Sequence, residues 1–153
     1  MIQTTIAFPS EIAEVQISYS HKIKPSQQIQ IVTSSDAYKH VLPLWPDIEF
    51  KESFAVLLLS RAQRVLGLYW VSHGGVSGTV ADAKNIFQSA LKANSSAIIL
   101  LHNHPSGQLF PSDTDTKLTR KLKQGGEFLD ITVCDHIIIT SESYYSMADE
   151  GII

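Results

Sequence analysis

The sequence predicts an α/β fold, a sheet covered by helices. Three observations carry that prediction. Residues 54–59, 97–101 and 131–140 are nearly unbroken apolar runs, the pattern of strands buried on both faces. Two segments between them, 82–92 and 112–126, instead repeat apolar residues at helical spacing. One of these helical segments joins two apolar strands, and strands interleaved with helices in this way give a sheet with helices packed on it.

The first fifty residues are less regular. Residues 13–19 alternate apolar and polar side chains as a strand with one buried face does, and residues 28–32 form a second short strand candidate. A lysine-rich turn containing Pro25 separates them. Ser34-Ser35-Asp36 offers an N-cap to a helix with Ala37, Tyr38, Val41 and Leu42 on one face, which Pro43 and Pro46 stop. This half, residues 1–47, is expected to be an accessory hairpin and helix packed on a main domain of residues 48–153.

From Phe54 onward each element has a signal. Residues 54–59 and 65–71 read as a hairpin across the polar Arg61-Ala62-Gln63-Arg64. Residues 72–79 form a glycine-rich loop that lacks the Gly-Lys-Ser/Thr pattern of a phosphate cradle, so His73 belongs to a turn near the cleft. Asp82 caps a helix with Ile86, Phe87, Ala90 and Leu91 on its inner face. Ser112 starts the next helix, with Leu118 and Leu122 inward, and Gly125-Gly126 is expected to end it. The tail, with Tyr144, Tyr145 and Met147, covers a sheet edge.

Composition narrows the function classes. An apolar fraction of 44% and a charged fraction of 18% describe one ordinary globular core in 153 residues. The formal net charge of −3, with no long basic run, gives no electrostatic field for non-specific nucleic-acid binding. Lys117, Arg120, Lys121 and Lys123 read as the solvated face of one helix. The lone Cys134 forms no intramolecular disulfide and sits inside a strand as a packing residue, which fits a reducing, cytoplasmic setting. Residues 1–9 lack the basic start and apolar core of a signal peptide, and no segment reaches the eighteen or so apolar residues of a membrane helix.

The chemistry concentrates in His102-Asn103-His104-Pro105-Ser106-Gly107 and Pro111-Ser112-Asp113-Thr114-Asp115. Residues two apart on a strand share a face, so His102 and His104 can reach one point. Two neutral imidazoles, with bonds of about 2.0 to 2.1 Å, make half of a tetrahedral zinc site. Pro105 and Gly107 then break the strand and let the first turn of the next helix bring Asp115 back as a third ligand. Two His and one Asp leave the fourth position for water, the open arrangement of a catalytic site. Such a site needs a carboxylate to take and return a proton; Glu52 is the candidate and Glu49 the fallback. The Ser112 hydroxyl can serve a developing oxyanion. By helix geometry alone, Ser112 and Asp115 also resemble a capping box.

His102-x-His104, seven residues, Ser112, two residues and Asp115, with Glu52 upstream, resemble the JAMM (JAB/MPN) metalloprotease signature. More narrowly, residues 102–107, Pro111-Ser112-x-x-Asp115, and Leu129-Asp130-Ile131 through Asp135-His136 are similar to the RadC family, over about residues 48–153. The resemblance implies a JAMM-type, cytidine-deaminase-like α/β fold in which a curved mixed sheet is flanked by helices. It also implies zinc held by His102, His104 and Asp115, with Glu52 as acid and base and Ser112 at the oxyanion. Full-length RadC proteins carry a helix-hairpin-helix segment that residues 1–47 do not resemble, which weakens the case for DNA binding. Eukaryotic JAMM deubiquitinases have Ser or Thr where this chain has Asn103, so a ubiquitin-like substrate gains no support. Asp135 and His136 are expected to be a buried hydrogen-bonded pair that supports the sheet or the metal rather than ligates, since three ligands already complete a catalytic zinc set.

The expected function is therefore zinc-dependent hydrolysis of peptide or isopeptide bonds in a protein or peptide substrate. The rival expectation is a non-catalytic RadC-like module in DNA repair or protein/nucleic-acid assembly. A zinc deaminase is disfavoured because its Cys-x-x-Cys pair is missing.

Overall fold

A computed structural model describes residues 11–16, 18–75 and 80–153. The readings made on residues 1–9, on Ile17 and on 76–79 lie outside the described residues. The elements in chain order are α1 (Ser34–Val41), β1 (Ser53–Leu59), β2 (Val65–His73), α2 (Ala83–Lys92), β3 (Ala97–Asn103), α3 (Asp113–Phe128), β4 (Thr132–Ile139) and β5 (Tyr144–Ser146), with single 3-10 turns at Pro25–Gln27 and Leu42–Leu44. Together they make the mixed α/β sheet flanked by three helices that the apolar runs predict, a JAB-type architecture.

The five strands lie in the order β2-β1-β3-β4-β5. β1 runs antiparallel to both β2 and β3. β3 and β4 are parallel, joined by the crossover helix α3, and β5 pairs antiparallel with the outer edge of β4. β1 and β3 are buried along their whole length, as continuous apolar strands between two covered faces must be. On one face Phe54, Val56, Leu58, Ile98, Leu100 and Val133 pack under Ile86 and Ala90 of α2 and Leu122 of α3. On the other, Ala55, Leu57, Ile99, Leu101, Ile137 and Ile139 pack under Ala37, Val41 and Trp45.

Several expectations need correction. Residues 13–16, 18 and 19 pair with no strand, and the 28–32 segment gives only an isolated bridge from Gln30 to Arg64. Alternation alone does not make a strand when only one residue finds a neighbouring backbone. The cap of α1 is Thr33, with Asp36 at the third helical position. Leu91 is exposed rather than inward. Ser72 and His73 belong to β2 rather than to the loop that follows.

Gly125 and Gly126 do not end α3, which runs on to Phe128. A Cβ on Gly126 would stand 2.3 Å from the Ile131 carbonyl oxygen, so this glycine serves the close return of the chain into β4. The left-handed residue that turns the chain is Asp130, with φ +56°. Among the described residues, no helix is long and apolar enough to cross a membrane.

Candidate metal centre

The site lies where β3 ends and α3 begins, at the carboxyl ends of the parallel pair. His102 is the penultimate residue of β3 and almost fully buried. The Phe54 ring stacks on it at 5.9 Å between centroids and only 8° between planes, which keeps water from its inner side. The chain then turns through Pro105 and Ser106, with Gly107 N–H donating to the His104 carbonyl at 2.9 Å. Gly107 has φ +82°, the left-handed conformation glycine adopts freely. This turn brings the Gln108 carbonyl to 2.7 Å from His104 Nδ1. A carbonyl has no hydrogen to give, so Nδ1 carries it and the His104 Nε2 lone pair faces the site.

The two Nε2 atoms, of His102 and His104, are 2.9 Å apart. Asp115 approaches both, with Oδ1 3.4 Å from His102 Nε2 and Oδ2 3.6 Å from His104 Nε2. Its orientation comes from the start of α3. Ser112 N–H donates to Asp115 Oδ2 at 2.8 Å, and Asp115 N–H donates to Ser112 Oγ at 3.1 Å, a reciprocal capping box. The capping reading of Ser112 and Asp115 and their place at the site are thus two descriptions of one geometry. Burial pushes the Asp115 carboxyl up, but the imidazoles of His102 and His104 at its two oxygens outweigh it and hold the group far below the usual carboxylate range. The neighbouring Asp115 carboxylate in turn raises His104, against burial, which lowers it.

Glu52 completes the group: one carboxylate oxygen and the ring nitrogens of His102 and His104 all lie within 4.8 Å of one another. Glu49, the fallback, is not part of that group and accepts from Ser141 Oγ at 2.9 Å. Glu52, His104 and Ser112 line one cleft, with the exposed Phe110 at its lip.

Asn103, wholly buried between the two histidines, holds the segment that carries Glu52. Its Oδ1 accepts from Ser53 N–H at 2.7 Å, and its Nδ2 donates to the carbonyls of Ile48 and Lys51, each at 2.8 Å. The Glu52 carbonyl also accepts from Gly74 N–H at 2.7 Å, beyond the end of β2. Sequence reasoning missed this clamp. A polar residue inside the buried end of an apolar strand was the signal for it, since buried amides find partners.

Asp135 and His136 are not bonded side chain to side chain. The Asp135 carboxylate accepts from the Ser146 hydroxyl and the Ala148 N–H, which fastens the tail, and from the backbone N–H of His136. The His136 ring lies 2.8 Å from His102 Nδ1 and 2.6 Å from Thr119 Oγ1. A register shift sets Ile98 opposite Val133 but Ile99 opposite Asp135, with Cys134 as the extra residue. That bulge places His136 beside Leu100, on the face His102 shares. Burial drives His136 well below the ordinary histidine value. Cys134 is half-buried, and its thiol is pushed up by burial, in keeping with packing rather than nucleophilic use. His73 ends β2 and meets Ser53 Oγ at 3.2 Å. His21 and His40 are exposed, and so, as expected, is the Lys117, Arg120, Lys121 and Lys123 set.

The donor set itself fits a cation. Two imidazole nitrogens and a carboxylate converge, and His104 brings no hydrogen to the contact unless its ring is charged. Acceptors at 2.9 to 3.6 Å repel unless a positive species lies among them. Two nitrogens and a carboxylate oxygen, with both rings oriented from behind, suit zinc.

Comparison with known proteins gives the family. The sequence matches the RadC-like JAB domain over residues 31–152. It is 37% identical over 144 residues to a UPF0758 protein of Flavobacterium johnsoniae, covering 94% of this chain and 62% of that one. With a UPF0758 protein of Salinibacter ruber it shares 37% identity over 127 residues, covering 83% of this chain and 54% of that one. With one of Desulfitobacterium hafniense it shares 43% over 103 residues, covering 67% and 45% respectively. The chain thus spans roughly half of the length of the curated relatives it matches. On the match across residues 31–152, the chain belongs to the RadC family, whose JAB domain it contains.

Proposed function

We propose that this domain is a zinc-dependent hydrolase of peptide or isopeptide bonds, acting on a protein or peptide substrate. The observation that carries the reading is the convergence of His102, His104 and Asp115 with a second carboxylate, Glu52, beside them. A module that only assembles with partners has no need for a proton-accepting carboxylate next to three ligands. Zinc held by the three side chains would supply Lewis acidity and would acidify a water in the position they leave open.

The chain's own residues do the rest. Glu52 accepts the water's proton as the water oxygen bonds to the scissile carbonyl carbon. It returns that proton to the nitrogen as the C–N bond breaks, so the amine leaves neutral. The Ser112 hydroxyl, whose oxygen already accepts from Asp115 N–H, keeps its own hydrogen for the carbonyl oxygen as charge grows there. Phe110 at the cleft mouth offers an aromatic surface to a substrate side chain. A single, half-buried cysteine fits work in the reducing cytoplasm.

The test begins with metal content. Purified protein should hold one zinc per chain and His104→Ala should lose it; a native chain without stoichiometric zinc would end the hydrolase reading. Cleavage of a peptide library then compares the native chain with Glu52→Gln. The variant should retain zinc and lose about 10²- to 10⁴-fold in rate, and equal rates would remove Glu52 from its role.

A further inference from the structure

Behind His102, a chain of hydrogen bonds has only one consistent direction. Thr119 Oγ1 stands 2.7 Å from the Asp115 carbonyl, one turn earlier in α3. The carbonyl is an acceptor, so the hydroxyl must donate, and it has a single hydrogen. Thr119 therefore accepts from His136 Nδ1, 2.6 Å away. Met147 Sδ, at 3.6 Å, is a thioether and too weak an acceptor to compete with that carbonyl. His136 is wholly buried with the Phe54 ring edge-on against it, surroundings that favour the uncharged imidazole. With its hydrogen on Nδ1, its Nε2 bears a lone pair. That lone pair faces His102 Nδ1 at 2.8 Å, so His102 Nδ1 is the nitrogen with the hydrogen.

We propose that Thr119 and His136 are positioning residues, a relay that holds His102 in the tautomer whose Nε2 is bare and aimed at the site. The relay starts on the carbonyl of Asp115 and ends at a nitrogen 3.4 Å from the carboxylate of the same residue. The helix turn that presents one ligand therefore sets the proton of another. This inference rests on reading the site as a metal centre: a bare Nε2 is what a cation requires, and a protonated one would block it.

The experiment reads ring protons directly. Long-range ¹H–¹⁵N correlation of the histidine rings, on the full ¹⁵N-labelled chain without metal and with zinc, should show His102 with its hydrogen on Nδ1 in both. Thr119→Val removes the hydroxyl at nearly constant shape. It should give His102 a mixture of tautomers and weaken zinc binding by about 10- to 100-fold, while Thr119→Ser restores both. The relay is overturned if metal-free native protein carries the His102 hydrogen on Nε2, or if Thr119→Val keeps the native tautomer and zinc affinity. Should the native chain take up no zinc, the hydrolase reading fails, yet the ring spectrum still decides the relay. Should Thr119→Val not fold, the native and Thr119→Ser spectra decide it.

Discussion

Helices α1 and α3 begin with the same device. In α1, Thr33 Oγ1 accepts from Asp36 N–H at 3.1 Å and Asp36 Oδ2 accepts from Thr33 N–H at 2.8 Å. In α3, Ser112 and Asp115 repeat the arrangement at 3.1 and 2.8 Å. The local chemistry is the same and the consequences differ. The Asp36 carboxylate meets backbone N–H groups and Lys39, and those backbone bonds are the main cause of its lowered pKa. Asp115 also faces two imidazoles, and for it burial and then the histidines come first. A hydroxyl residue three before a carboxylate is a helix start. It becomes part of a site only when the preceding strand ends in groups that need a carboxylate.

The sharpest way to break the comparison is to neutralise each acid in turn. Asp115→Asn keeps an oxygen for the Ser112 N–H but removes the charge, and zinc affinity should fall beyond the 10- to 100-fold typical of outer residues. Asp36→Asn should leave zinc affinity unchanged in the same titration; equal losses would mean that the acids differ in nothing but position. A second variant breaks the other half of the centre without touching either box. Asn103→Ala takes the partner from the buried Ser53 N–H and from the part-buried carbonyls of Ile48 and Lys51, at roughly 1 to 3 kcal/mol of stability. Zinc content should hold. By displacing Glu52 it should lower kcat on the order of 10²-fold with little change in KM; an undisturbed kcat would reduce Asn103 to packing.

Legibility followed how local each cause is. The apolar runs of β1, β3 and β4 read directly as buried strands, because burial on both faces needs no knowledge of the partner. His102, His104 and Asp115 were readable because a two-residue strand spacing and a helix start converge across one short turn. Thr119 and Asn103 were not, since their partners are His136, Ile48, Lys51 and Ser53, brought close only by the sheet. Thr119 left one faint trace, its place one turn beyond Asp115 on the same helix face. The bulge at Cys134, which puts His136 rather than Asp135 behind His102, is a register fact with no sequence mark. Residues 13–16, 18 and 19 erred the other way, with a strand-like pattern and no strand paired to them.

Removing the caps themselves should have smaller, matched effects on folding. Thr33→Ala and Ser112→Ala should each lower stability by about 0.5 to 2 kcal/mol in denaturant titration. They should part company in the peptide assay, where only Ser112→Ala slows cleavage, by up to about 10²- to 10³-fold if its hydroxyl serves the oxyanion. A Ser112→Ala variant that loses stability and keeps its rate would make Ser112 a cap like Thr33.

The smallest effect is a pH dependence at α1. Asp36 is held below its ordinary value by the backbone N–H groups of Thr33 and Val32. A carboxyl lowered by folding contributes stability above its unfolded value, 3.8, and that contribution disappears as pH falls through the lower folded value. Asp36→Asn removes the ionisation while keeping an acceptor oxygen. The thermal midpoints of native and variant protein should therefore differ slightly at pH 7 and converge as the solution is acidified below pH 3.8. A gap that stayed constant with pH would show that Asp36 acts at α1 through shape and hydrogen bonding alone, with its charge idle where the charge of Asp115 is engaged.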